Sequence, residues 1–312
     1  MLVLDNTKKS QLVTCDRKYY WQYERHLKPT AGSTALRYGI VWHAGKEGFY
    51  GYIKEHGWQH DGKAIEAAML AAKEEWDSLS SKQTYFDDYR TLENYMQALI
   101  AYVSHFNHDE GMLKINHVER RFKIKMHCRD LTERRMFPRV YEQGVIFAGR
   151  LDADIELSGR PWQMEQKTTG QALSVQRSRL RRNPQGIGYA YADKRLGGTS
   201  EGCLVVLHHL SAYKSKTTGL YGKPKIEFDR VPQIFTDGDL EAWRQTFLHN
   251  AERILWNRET GLWVMQQDNC YQYGSCPFTK LCEQNAPLGE EITEGYFEDE
   301  PWDPAPGVEI TE

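Results

Sequence analysis

Two short stretches near the middle of the chain carry residues able to do chemistry. They are Gly149-Arg-Leu-Asp152-Ala-Asp154 and Met164-Glu165-Gln166-Lys167-Thr-Thr169. Together they put three carboxylates and a lysine on what reads as one β-hairpin. Val145 to Leu157 is apolar with charges at alternating positions, and Ser158-Gly-Arg-Pro161 supplies turn chemistry. A four-residue connection sets Leu157 against Trp162, Asp152 against Lys167 and Asp154 against Glu165. Side chains two apart on a strand share a face, so Asp152, Asp154, Glu165 and Lys167 crowd one side while Gln166 points away. Clustered carboxylates raise one another's pKa unless a cation sits among them. Hard oxygen donors select magnesium or manganese, which bind through one or two carboxylates plus substrate phosphate oxygens. The chemistry implied is phosphodiester hydrolysis, with the lysine orienting the attacking water or stabilising the phosphoryl oxyanion. The alternative is a surface hairpin of cross-strand ion pairs.

The elements that must position this hairpin are helical. Asn183 and Pro184 read as an N-cap and first helical residue, and Gly197-Gly198 as a stop, predicting a helix from Pro184 to about Leu196. Gln185 and Tyr189, four apart, share one face of it. Gly186 and Gly188 between them allow another backbone to approach. Upstream, apolar residues recur at helical spacing from Thr34 to Tyr52, with His43 inside the run. A histidine in that setting is either a satisfied core residue or a metal ligand. Before the Gln185 helix, Arg177, Arg179, Arg181 and Arg182 fall within one and a half turns, fork-shaped cations suited to phosphates along a strand or to a solvated basic face.

Gly149-x-x-Asp152, Glu165-x-Lys167, Gln185-x-x-x-Tyr189 and Gly39-x-x-x-His43, in this order and spacing, resemble the RecB-like branch of the PD-(D/E)XK nuclease superfamily. The resemblance implies a restriction-endonuclease-like α/β core, a mixed central sheet flanked by helices. It implies that His43, Asp152, Glu165 and the Gln166 backbone carbonyl hold Mg or Mn, that Lys167 positions water, and that Gln185 and Tyr189 contact nucleic acid. Asp154 lies outside the family motif and is expected to tune the site from its edge.

Six cysteines are present. Cys270, Cys276 and Cys282 fall at intervals of six, Cys15 stands alone near the N-terminus, and Cys128 and Cys203 sit in strand-like runs. Disulfides, zinc or separate buried thiols are the options. No signal peptide or membrane-length apolar run is seen, so a cytoplasmic location without stable disulfides is expected. C-x-x-C knuckles, usual for zinc, are absent. The arrangement resembles the iron-sulfur variant found in CRISPR adaptation exonucleases and AddB-type nucleases. That resemblance implies a cluster, expected as 4Fe-4S, on Cys15, Cys270, Cys276 and Cys282, although Tyr273 stands where the family more often has a cysteine. Its expected role is structural.

The 312 residues carry a formal charge of −3, yet Glu290 to Glu312 holds nine acids and no Lys or Arg, leaving +6 on the remainder. A basic body suits a polyanion, and the acidic end is expected to be disordered or to dock a protein partner. The domain reading is a single nuclease domain over 1–288, with a helical insertion at about 55–110, the cysteine group at 270–282, and a tail at 289–312. Expected elements are helices at Ser10–Leu27, Leu36–Tyr52, Asp61–Leu79, Thr91–His108, Gln171–Arg182 and Asp237–Arg258. Strands are expected at Lys114–His127, Arg135–Phe147, Gly202–Leu210 and Lys225–Ile234. The expected function is a metal-dependent DNA nuclease, an exonuclease acting on ends or single strands in recombination, repair or phage DNA processing. The alternatives are a non-catalytic nucleic-acid-binding subunit and a zinc-stabilised structural protein.

Overall fold

Gly202–Ser211 is buried along nearly its whole length, as an apolar run must be when both faces of a strand are covered. In this computed structural model, residues 1–30, 32–59, 62–82, 89–180, 183–271, 275–283, 297–299 and 301–311 are described. They form, in chain order, β1 (Leu2–Leu4), α1 (Asn6–Thr14), α2 (Asp16–Tyr19), β2 (Leu27–Pro29), α3 (Thr34–His56), α4 (Lys63–Lys82), α5 (Leu92–His105) and β3 (Leu113–Met126). Then come α6 (Leu131–Met136), α7 (Pro138–Gln143), β4 (Val145–Leu157), β5 (Arg160–Thr169), α8 (Leu173–Leu180), α9 (Pro184–Arg195), β6 (Gly202–Ser211), β7 (Lys225–Ile234), α10 (Asp237–Thr260), α11 (Thr279–Glu283) and β8 (Phe297–Asp299). Two compact units result: Met1–Thr30 with Arg121–Arg150 and Asp237–Glu312, and Ala31–Arg120 with Leu151–Thr236.

The second unit is built on a mixed sheet flanked by helices. The latter half of β4 pairs antiparallel with β5, β5 runs parallel to β6, and β6 pairs antiparallel with β7. The β4–β5 register departs from expectation. Leu157 faces Arg160 and Ile155 faces Trp162, so Asp154 lies opposite Gln163 rather than Glu165. Ser158 and Gly159 alone make the turn, both at positive φ (52° and 78°), the mirror-image turn whose twist matches a hairpin. Ser158 N–H also donates to the Met112 carbonyl at 2.8 Å, so the loop is tighter than its composition suggests. A two-residue displacement keeps every side chain on its face, which is why the clustered face survives the change of partners.

Over this sheet lies α3, capped by Ser33, whose hydroxyl accepts from Leu36 N–H. Its Tyr38, Val41, Trp42 and Phe49 join Met164, Leu204 and Val206 in the main core. The Trp42 ring sits 3.9 Å from the His208 ring, centroid to centroid, and burial pushes that histidine down to about 3, so it stays neutral. α4 lies close against α3 because Gly45 and Gly48 leave room. A Cβ on Gly48 would fall 2.8 Å from the Ala67 carbonyl oxygen, and one on Gly45 would overlap the Tyr95 hydroxyl. The helices expected at Leu36–Tyr52, Asp61–Leu79, Thr91–His108 and Gln171–Arg182 are found with shifted ends.

In the first unit, β1 runs parallel to the start of β4, and α10 buries Trp243, Phe247, Ala251 and Ile254. Phe147 packs against Trp243 and Phe247 there. Three expectations are corrected. The helix expected over Ser10–Leu27 is broken at Cys15, whose backbone is extended (φ −169°, ψ 122°), and continues as α2 and a π-helical turn, Tyr20–Glu24. The strand expected over Arg135–Phe147 is α6 and α7, with the strand beginning only at Val145. Asp130 caps α6 by accepting Glu133 N–H at 2.9 Å, Glu133 reaches back to Arg129 N–H at 2.8 Å, and Pro138 opens α7. The tail expected to be disordered is ordered where it is described. β8 pairs antiparallel with β2, Trp302 donates to Asp5 at 2.6 Å, Ala305 is buried and Thr311 pairs with Ile124. Residues 284–296, 300 and 312 of that segment lie outside the described residues. No helix among the described residues is long and apolar enough to cross a membrane.

Gly45→Ala is expected to destabilise the protein by about 1–3 kcal/mol through overpacking, with partial recovery in Gly45→Ala/Tyr95→Phe, read as denaturant midpoints. Equal midpoints for wild type and Gly45→Ala would show that Tyr95 of α5 does not pack against α3 at Gly45.

Candidate active site

Four elements of the second unit converge on one cluster. α3 supplies His43, β4 Asp152, β5 Glu165 and Lys167, and α9 Gln185 and Tyr189. Gly39 sets the height of α3 over β5, since a Cβ there would come within 3.2 Å of the Thr168 hydroxyl. One turn later His43 reaches the sheet, its Nδ1 3.1 Å from Asp152 Oδ1. The other oxygen of Asp152 accepts the Gln166 N–H at 2.6 Å. Gln166 itself faces the core, as expected, with its amide against Trp42 and Met164.

Glu165 is 2 % exposed. Its Oε1 receives Lys167 Nζ and, at 2.8 Å, Gln185 Nε2. Gln185 also accepts from Lys167 Nζ through Oε1 at 2.7 Å and touches the Tyr189 hydroxyl at 2.9 Å through Nε2. The α9 helix begins as expected, with Asn183 accepting Gln185 N–H at 3.1 Å. Gly186 permits the approach of that helix, for a Cβ there would lie 2.6 Å from Gln233 Oε1.

Charge balance follows the geometry. Burial raises Glu165 above the usual carboxylate range, and repulsion from Asp152 adds to it against Lys167 and His43. Asp152 is also buried, but His43, the Gln166 N–H and Lys167 outweigh that and hold it below its ordinary value. Burial disfavours the charged forms of His43 and Lys167, yet Asp152 and Glu165 respectively prevail, and both pKa values are raised. Burial drives the Tyr189 phenol well up, so it remains protonated.

Within this cluster, Glu165 Oε2 is buried and has no hydrogen-bond partner among the described residues. An imidazole, two carboxylates and an adjacent strand carbonyl, with that orphaned oxygen, fit a hard divalent cation. In the arrangement seen, His43 and Asp152 engage each other and Glu165 engages Lys167. Among the described residues no group of three or more His, Cys, Asp or Glu is arranged to hold a metal.

Asp154 lies apart, with Arg120 Nη1 at 2.9 Å and His117 Nδ1 at 3.4 Å. Neither of these partners was legible in the sequence, because nothing in the spacing of β3 aligns them with β4. Arg177 is paired with Asp229 and Arg179 is exposed on α8, while Arg181 and Arg182 lie outside the described residues. The four cysteines Cys15, Cys270, Cys276 and Cys282 are free and all fall in the first unit. Burial raises the Cys270 and Cys282 thiols, and Cys15 and Cys276 push each further, while among the described residues no group of three or more of them is arranged to hold a metal.

A mixed sheet flanked by helices, carrying a buried Asp and Glu-x-Lys centre, defines a nuclease of the restriction-endonuclease-like fold. A family model described as the PD-(D/E)XK nuclease superfamily matches residues 7–283, and the chain belongs to that superfamily. Membership implies phosphodiesterase action on DNA, with magnesium or manganese as the typical ions. A comparison with curated proteins returns no match.

Manganese is expected to raise the thermal midpoint of the wild-type protein, by about 2.7 kcal/mol of stability at a hundredfold excess over Kd, and to leave Glu165→Gln unmoved. A wild-type midpoint indifferent to manganese and magnesium would overturn the ion-binding assignment.

Proposed function

We propose that the protein is an exonuclease of the RecB-like branch, acting on DNA ends or single strands with Mg or Mn. The observation that carries the reading is the unpartnered oxygen of Glu165 beside Asp152, where two buried carboxylates repel and both neighbouring cations come from the protein. His43, Asp152, Glu165 and the Gln166 carbonyl would hold the ion. The chemistry such an ion supplies when bound is acidification of water and neutralisation of charge at a phosphoryl oxygen. Lys167, anchored by Glu165 and Gln185, holds its ammonium charged and presents it toward the attacking water or the phosphoryl oxyanion. Gln185 and Tyr189 contact the strand, and Arg177 and Arg179 of α8 offer cations for phosphates further along it.

The cysteines form the second part of the proposal. Cys15, Cys270, Cys276 and Cys282 would take up an iron-sulfur cluster with a structural role, supported by their free thiols and their common place in one unit. Equivalent iron and acid-labile sulfide in anaerobically purified protein, with a visible band that bleaches on reduction, is the expected result. Colourless, zinc-loaded protein would overturn it.

Lys167→Ala is expected to lower cleavage of end-labelled DNA in manganese by about 10²–10³-fold, a loss of electrostatic stabilisation in the transition state. A closed circle should resist the wild-type protein. Equal activity of the variant and wild type, or none in either, would sink the enzymatic reading and favour a nucleic-acid-binding subunit.

A further inference from the structure

The strand β3 contains a residue that a regular strand does not tolerate. Glu119 sits at φ 54°, in the left-handed region, although it has a side chain. Burial along the strand changes phase around it: Leu113 and Ile115 are buried on one side of it in sequence, and Phe122, Ile124 and Met126 on the other. The buried set passes from odd to even positions, the signature of one extra residue absorbed as a bulge. Bulges of this kind re-aim side chains, and here the re-aimed pair is His117 and Arg120. Three residues apart, these would point to opposite faces of a regular strand. Instead both reach the same oxygen, Asp154 Oδ2, at 3.4 and 2.9 Å.

Asp154 lies two positions beyond Asp152 on β4 and on the same face, about 7 Å along the strand. Arg120 is fixed from two directions, by Asp154 and by Asp193 at 3.7 Å, and Asp193 is held in turn by Ser200 N–H and hydroxyl at 3.1 and 2.7 Å. A guanidinium fixed in this way keeps its remaining N–H groups, with the side chain 30 % exposed, while the His117 side chain is 61 % exposed.

We propose that His117 and Arg120, aimed by the Glu119 bulge and anchored by Asp154, grip the backbone phosphate of the DNA strand next to the one being cleaved. This rests on the nuclease reading above and gives Asp154 a place in it. Asp154 is then a positioning residue, its carboxylate serving His117 and Arg120 and not the ion. The contact is to phosphate, so it selects nucleic acid over other phosphodiesters by requiring a second phosphate beside the scissile one.

The test compares wild type with Arg120→Ala, His117→Ala and Arg120→Lys on a single-stranded oligonucleotide in manganese, measuring kcat, KM and the salt dependence of binding in EDTA. Each alanine variant is expected to raise KM about tenfold with kcat little changed, the loss of one charge-assisted hydrogen bond. The salt slope should fall by about one phosphate contact in Arg120→Ala and be restored in Arg120→Lys. Wild-type cleavage with KM and salt slope unaltered in both alanine variants would overturn the phosphate grip and leave the nuclease standing. Absence of both cleavage and binding in the wild type would overturn the nuclease reading, and the grip with it. Loss of kcat with unchanged KM in a folded Arg120→Ala would overturn it too, since that pattern belongs to the reacting centre and not to a neighbouring phosphate.

Discussion

The repulsion between Asp152 and Glu165 is the constraint around which the second unit is arranged. Two carboxylates in a buried setting cannot both remain charged without compensation, and none of the compensating groups is a sequence neighbour of Asp152. An imidazole arrives from α3, an ammonium and a backbone N–H from β5, and an amide from α9. Each demands a close approach that a larger residue would obstruct. Gly39 lets α3 down onto β5 and Gly186 lets α9 down toward β6 and β7. The packing of the unit and the electrostatics of its centre are therefore one problem with one solution.

The first unit meets a similar demand with ordinary means. Asp16 is buried, and Arg253 and Asn257 on α10 reach it. Glu133, buried at the start of α6, is matched by Arg244. Such pairs leave no unmet charge, in contrast with Glu165, whose second oxygen remains without a partner. The difference separates buried charge that holds a fold from buried charge that awaits a ligand.

Much of this was legible in the sequence because the determining signals are local. Asn183-Pro184 announced the helix bearing Gln185 and Tyr189, and alternation fixed which face of the hairpin carries the carboxylates. What escaped depended on single backbone conformations. Ser158 at positive φ shortened the hairpin turn, since serine is not the residue that advertises such a turn. The Asp130 and Glu133 pair just before, and Pro138 inside, a stretch whose Phe, Val and Tyr suggested a strand were helix-start signals. The extended backbone at Cys15 broke a helix whose apolar period ran on without interruption. Acid-rich composition spoke for disorder at the C-terminus, yet Trp302 donates to the buried Asp5 and Ala305 is itself buried, contacts that composition averages away.

The amide of Gln185 is held at both ends. It offers nitrogen to Glu165 and oxygen to Lys167, since an amide presents a donor and an acceptor at nearly equal reach. Its two ends are almost identical in shape and opposite in polarity, so only the charges beside it decide which way it points. The rotational state of this one group is accordingly a record of the protonation of its neighbours. Lys167 on the oxygen and Glu165 on the nitrogen hold the amide in the same sense, and the nitrogen also meets the Tyr189 hydroxyl. A nitrogen label on this one side chain would thus sense Glu165, Lys167 and Tyr189 together.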